Sequence, residues 1–280
     1  MTSEPAPTRA FLFCPGDRPD RYARAVDSAD SVILDLEGAV APEAKERARA
    51  AVVRALVEGA VDQTRTVVRV NPTDGPWGAE DVRALRETPA RTLMLPKADD
   101  PRQLEALGRW SVIALCETAA GVLAAERLAQ ADNCRGLMWG GEDLTADVGG
   151  RASRGSDGSY HDLVRFARTF VLLAAGAQGQ LAVDGVFLDI HDAAGLAAEA
   201  GEAVAMGFDA KAAIHPRQID PIRQAFAATE EETQWAQEVV AAVAAGGVTT
   251  VRGRMVDAPL LVQARAILGS SNPVGGGDSE

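Results

Sequence analysis

The sequence predicts an α/β protein, a (β/α)8 TIM barrel with a C-terminal helical extension. Three observations predict it. The chain has 280 residues, too many for an ordinary small domain but normal for one closed α/β barrel. Eight short apolar runs recur in order, separated by stretches of helical periodicity. Those runs are apolar throughout rather than alternating, which marks strands covered on both faces, as in a parallel sheet under helices. No G-x-G-x-x-G or Walker-A loop follows any of them, which weighs against an open nucleotide-binding sheet.

Taken in order, the strands are expected at Ala10–Cys14, Ser31–Leu36, Thr66–Val70, Thr92–Leu95, Val112–Cys116, Gly136–Trp139, Gly185–Asp189 and Ala210–Ile214. Helices fill the gaps, from Pro19 to about Ser28 and from about Pro42 to Glu58, and most clearly at Gly121–Ala131, Tyr160–Ala177 and Ala193–Met206. The barrel domain is assigned to 9–228. A helix from about Glu230 to Ala245 and a last segment, Val248–Leu268, form the extension, 229–269. Residues 270–280 (SSNPVGGGDSE) read as a disordered tail.

Composition narrows the function classes. Hydrophobic residues make up 47% and charged residues 24%, which is globular, and the net charge of −12 argues against a nucleic-acid partner. No apolar run is long enough to span a membrane, and the N-terminus lacks the apolar core of a signal peptide. Cys14, Cys116 and Cys134 fit no zinc spacing and read as buried thiols, so a cytoplasmic location is expected. Only three of the 28 basic residues are lysines, Lys45, Lys97 and Lys211. A chain that uses arginine almost everywhere keeps lysine where a compact ammonium is needed, or simply on its surface.

Functional residues of such barrels stand at the C-terminal ends of the strands. Here those ends deliver Asp17 and Arg18, Asp35 and Glu37, Arg69 and Asn71, Lys97, Glu117, Glu142 and Asp143, Asp189, and His215. Clustered carboxylates repel unless a cation neutralises them. Oxygen donors without clustered His or Cys favour Mg²⁺, or Mn²⁺, over zinc. Pairing with Arg18, Arg69 and Lys97, or helix capping by Glu142 and Asp143, would satisfy the same acids without a metal. Arg69 can take a substrate carboxylate bidentately, or an acid of the rim. His215 before a proline fits a structural role, and His161 and His191 fit the surface.

The series PGDRPDRYARA, VILDLEGAVAPEAK, VVRVNPTDGPWG, LMLPKAD, CETAAGV, GGEDL, DGVFLDIHD, GFDAKAAIHPRQ and GRMVDAP resembles the HpcH/HpaI aldolase and citrate lyase β-subunit family, in order from about Phe11 to Leu268. The resemblance implies Mg²⁺ held by Glu117 and Asp143, Arg69 gripping a substrate carboxylate, and Glu37 beside them among the catalytic residues. It implies coenzyme A contacts on Arg18, Lys45 and Lys97. It makes Asp257 a catalytic acid reached from a neighbouring subunit's tail, in a homotrimer or hexamer. Three positions depart from the family pattern: Gly38 where an aspartate is common, Ala120 where an arginine is common, and Gly141 in place of alanine. The implied reaction is Mg²⁺-dependent cleavage of a carboxylated 3-hydroxyacyl-CoA (malyl-CoA, citramalyl-CoA or a citryl thioester) to acetyl-CoA and a 2-oxo acid. Two alternatives stand beside it: a Schiff-base aldolase using Lys97 or Lys211, and a non-catalytic or complex-dependent citrate lyase β-type subunit.

Overall fold

The computed structural model describes residues 8–244 and 250–270. They fall into two compact units, 8–222 and the described part of 223–270. The first is a closed barrel of eight parallel strands in sequence order. Its elements are β1 (Ala10–Pro15), α1 (Tyr22–Ser28), β2 (Ser31–Asp35), α2 (Lys45–Val57), β3 (Thr66–Arg69), α3 (Gly78–Leu85), β4 (Thr92–Leu95), α4 (Pro101–Glu105), β5 (Ser111–Cys116), α5 (Ala119–Ala129), β6 (Cys134–Trp139), α6 (Gly141–Asp147), α7 (Asp162–Ala177), β7 (Leu181–Asp184), α8 (Ala193–Met206) and β8 (Ala210–Ala213), and α9 (Ile219–Phe226) runs across the division. The barrel closes where Ala10 pairs with Lys211 and Leu12 with Ala213.

The apolar runs form strands because both faces are covered. Every residue of β2 and of β8 is buried. The barrel interior is filled from all around the sheet, by Phe11, Ile33, Val67, Met94, Ile113, Met138, Val183 and Ala212 among others. Helix starts follow local capping chemistry. The Thr118 hydroxyl accepts the Gly121 N–H at the head of α5, and the Asp192 carboxylate accepts that of Gly195 at the head of α8. Helix α8 ends at Gly207, whose φ of 105° suits a residue without a Cβ.

Strand seven departs from the sequence expectation. Gly185–Asp189 is loop, and the strand is Leu181–Asp184, in register with Gly136 to Met138 of β6 and with Ala210 and Lys211 of β8. Two apolar runs, Leu181–Val183 and Val186–Leu188, flank Asp184-Gly185, and neighbour pairing selects the first. Asp189 is therefore exposed and off the strand, its carboxylate accepting the N–H of His191.

In the second unit, α10 (Glu230–Ala244) packs on α11 (Ala258–Ser270), and β9 (Thr250–Val251) pairs antiparallel with β10 (Arg254–Met255). The hairpin turn places Arg252 and Gly253 at φ 47° and 79°, the positive pair that a tight two-residue turn needs. Ala236, Val239, Val251 and Ala264 form a small core of their own. The division falls at 222/223 rather than at 228/229. The tail assigned to 270–280 lies, after Ser270, outside the described residues. No described helix is long and apolar enough to cross a membrane.

Candidate active site

The C-terminal ends of β2, β3, β4 and β5 bring four charged residues to one rim. Asp35 ends β2 and is fully buried. Its carboxylate accepts the N–H groups of Glu37 and Ala39, and Arg69 Nε and Nη2 at 2.7 Å each. Burial pushes Asp35 upward, but the Arg69 guanidinium and these N–H donors outweigh it and hold the carboxyl below its ordinary value. Asp35 thus fixes one edge of the Arg69 fork. The remaining nitrogen, Nη1, faces Glu37 at 3.5 Å, and the guanidinium lies 4.7 Å over the Phe13 ring. A Cβ at Gly38 would sit 3.1 Å from Arg69 Nη2, so glycine there keeps another side chain off the guanidinium.

Glu117 follows β5 and is 3% exposed. Gly140 makes room for it: a Cβ at that position would lie 2.8 Å from the Glu117 Cβ. Burial, and after it the charge of Asp143, push the Glu117 carboxyl up to about 7 against the opposing pull of Lys97 and Arg69. Asp143 stands in the first turn of α6 with Glu142, where a negative charge meets the positive end of the helix. Neither caps the helix through its side chain.

Lys97 sits between these acids. Its Nζ lies 2.9 Å from Glu37, 3.5 Å from Glu117 and 3.3 Å from Asp143. Its backbone N–H also points at Glu117 Oε1, 3.2 Å away. The backbone there is left-handed, with φ 52°, an uncommon state for a residue with a side chain. Burial opposes its charge, yet Glu117, Glu37 and Asp143 together hold the ammonium above its ordinary pKa. A protonated lysine is a poor Schiff-base nucleophile, which weighs against the aldolase alternative.

Three carboxylates drawn around one cation are a donor set that fits a hard metal ion. Among the described residues, no group of three His, Cys, Asp or Glu is arranged to hold a metal alone. Mg²⁺ does not require such a group, because one or two carboxylates with water and substrate oxygens complete its shell. Beside the rim lies a cavity of about 180 Å³, with Phe13, Leu115, Met138 and Tyr160 on its apolar wall and Arg69, Glu117 and Asp143 on its polar one. It suits a small molecule with one anionic end.

The other expected residues are placed differently. Lys45 is buried and spends its three protons on the carbonyls of Leu36 and Glu37 and on Asn71 Oδ1, at 2.7 to 2.8 Å. No donor is left for a coenzyme A phosphate. Lys45 instead ties the segment after β2 to the one after β3, and so supports Glu37. Arg18 is half-buried and paired with Asp20 at 2.8 Å. Asp257, in the second unit, is exposed and caps α11, its carboxylate accepting the Leu260 N–H and its carbonyl that of Leu261. The His215 ring accepts the Arg217 N–H, a structural role, and His161 and His191 are exposed. All three cysteines are buried and unpaired.

Sequence reasoning missed a second charged cluster, behind the wall formed by β6, β7 and β8. Lys211, fully buried, donates to Asp184, Glu199 and the Gly185 carbonyl at 2.8 to 2.9 Å. Asp184 also accepts Arg168 and the Trp139 indole N–H, and Glu199 accepts Tyr160 and Arg154. The pair Trp139–Tyr160, edge to face at 5.4 Å, lines the cavity in front of this network. The available signal was Asp184 itself, a carboxylate after the apolar run Leu181–Val183.

Comparison with known proteins places the chain in a family. The HpcH/HpaI aldolase/citrate lyase family profile matches residues 9–111 and 106–216. The chain belongs to that family, a family of lyases. It is 46% identical over 259 residues to a citrate lyase subunit beta-like protein of Mycobacterium tuberculosis, covering 92% of this chain and 93% of that one. It is 32% identical over 299 residues to the mitochondrial citramalyl-CoA lyase of Mus musculus, covering 94% and 85%. Among solved structures, the CitE protein of M. tuberculosis in complex with magnesium, acetoacetate and coenzyme A superposes with a TM-score of 0.89 at 45% identity, covering 94% of this chain and 97% of that one.

Proposed function

We propose that the chain is a Mg²⁺-dependent carbon–carbon lyase acting on a carboxylated 3-hydroxyacyl-CoA of the malyl, citramalyl or citryl type, and that it works as a homotrimer in the cytoplasm. The observation that carries this reading is the convergence of Glu37, Glu117 and Asp143 on one cation beside the fixed fork of Arg69. It is supported by the relative named citramalyl-CoA lyase and by the similar protein solved with magnesium and coenzyme A.

Glu117 and Asp143 are the ligands we assign to the metal, which when bound supplies Lewis acidity to the substrate's hydroxyl and carboxylate oxygens. Arg69, its angle set by Asp35, holds that carboxylate and aligns the bond to be broken. Glu37 is the candidate acceptor of the hydroxyl proton. The bond between the hydroxyl-bearing carbon and the carbon next to the thioester then breaks. The electron pair stays with the thioester fragment, and the other fragment leaves as a 2-oxo acid. Asp257, reaching from a neighbouring copy in its acid form, protonates the enolate to give acetyl-CoA. Coenzyme A contacts are assigned to Arg18 and Lys97, and Lys45 is reassigned to positioning Glu37.

The test is release of 2-oxo acid from malyl-, citramalyl- and citryl-thioesters by the purified chain with Mg²⁺. Turnover of at least one by the chain alone is expected. Acyl-CoA binding without any turnover would favour the complex-dependent subunit. Asp257→Asn is expected to keep metal binding while kcat falls about 10²- to 10⁴-fold, the usual worth of a positioned acid. Full activity in that variant would remove Asp257 from the reaction.

A further inference from the structure

A coenzyme A contact does not by itself account for where Lys97 stands, with its ammonium among the assigned metal ligands. Lys97 addresses Glu117 from both ends, through its backbone N–H and through Nζ. It does so from a left-handed backbone, and such conformations in non-glycine residues concentrate at functional positions. Its contacts are graded. Nζ donates a short hydrogen bond to Glu37 at 2.9 Å and a long one to Glu117 at 3.5 Å, and meets Asp143 in an ionic contact at 3.3 Å. The side chain is 37% exposed, so it is not enclosed by the protein on all sides.

A divalent ion on Glu117 and Asp143 would approach their oxygens far more closely than this ammonium does. A divalent ion bonded to those carboxylates and an ammonium 3.3 to 3.5 Å from their oxygens repel each other and compete for the same charge. The ammonium and the metal are therefore alternatives. We propose that Lys97 is a built-in counter-cation: it neutralises Glu37, Glu117 and Asp143 in the metal-free protein and must withdraw before a divalent ion binds, so it sets the metal concentration at which the site assembles. Lysine suits the role, being a compact charge on a flexible stem with three rotatable donors. An arginine would grip a carboxylate through its planar fork and leave less readily.

This inference rests on the metal reading above, and the experiment separates the two. Mg²⁺ is titrated by calorimetry into wild type, Lys97→Met and Lys97→Arg, and thermal unfolding of each is followed with and without saturating Mg²⁺. Lys97→Met is expected to bind Mg²⁺ about tenfold more tightly or better, the scale on which one neighbouring charge moves an ionic equilibrium. Lys97→Arg is expected to bind it more weakly than wild type. Without metal, Lys97→Met should melt below wild type, because three carboxylates lose their partner, and saturating Mg²⁺ should close that gap. Unchanged or weaker Mg²⁺ binding by Lys97→Met, or a melting gap that metal leaves intact, would overturn the counter-cation role while leaving the metal site standing. No Mg²⁺ uptake by wild type would overturn both.

Discussion

The barrel holds two lysines among carboxylates, and they are built in opposite ways. Lys211 is fully buried, with every proton engaged at 2.8 to 2.9 Å, and its acids, Asp184 and Glu199, have further partners in Arg168, Trp139, Arg154 and Tyr160. Lys97 is 37% exposed, has one close bond and two loose ones, and leaves Glu117 with a carboxyl pushed up to about 7. The first cluster is saturated. Its charges are spent on holding β6, β7 and β8 in place behind the cavity. The second is under-satisfied and open, the condition in which a site keeps binding capacity for something else.

That contrast can be broken from either side. Lys211→Met should have the largest effect on the folded state. It leaves two buried acids short of a partner, a kind of loss that costs about 3–5 kcal/mol. Denaturant titration measures it, and Mg²⁺ affinity at the rim should stay unchanged. A fully stable Lys211→Met would mean that the saturated network does not carry the wall. Arg69→Lys acts on the rim and should cut kcat/KM by about a hundredfold, since a point charge loses the two-toothed contact with Asp35 that aims the group. Its melting temperature should move less than that of Lys211→Met. Arg18→Ala is the mildest. Arg18 is half-buried at the surface and its ion pair is with Asp20, so its loss should raise the Kd for coenzyme A about two- to fivefold, as expected for surface charges.

The same contrast explains what the sequence made legible. Strand positions could be read because a doubly covered strand has an apolar run at its centre, such as Val32–Leu34 or Val112–Cys116. Glu117, Asp143 and Arg69 could be placed at one rim because parallel strands deliver their C-terminal ends to the same side. Strand seven could not be placed, because two apolar runs flank Asp184 and only pairing with Gly136–Met138 and Ala210–Lys211 chooses between them. The structure therefore has Asp184 at the strand end where the sequence pattern points to Asp189. Lys45 and Lys97 look alike in sequence. One is turned inward onto backbone carbonyls and the other is held at φ 52° over Glu117, and no local pattern carries that difference.

The most direct test of the central claim, that the under-satisfied rim is a metal-dependent active site, is anomalous scattering from crystals soaked in Mn²⁺. The account predicts one strong peak within bonding distance of Glu117 and Asp143, displaced Lys97 density, and loss of the peak in Glu117→Gln. A peak elsewhere in the barrel, or none while Lys97 keeps its three carboxylates, would contradict it.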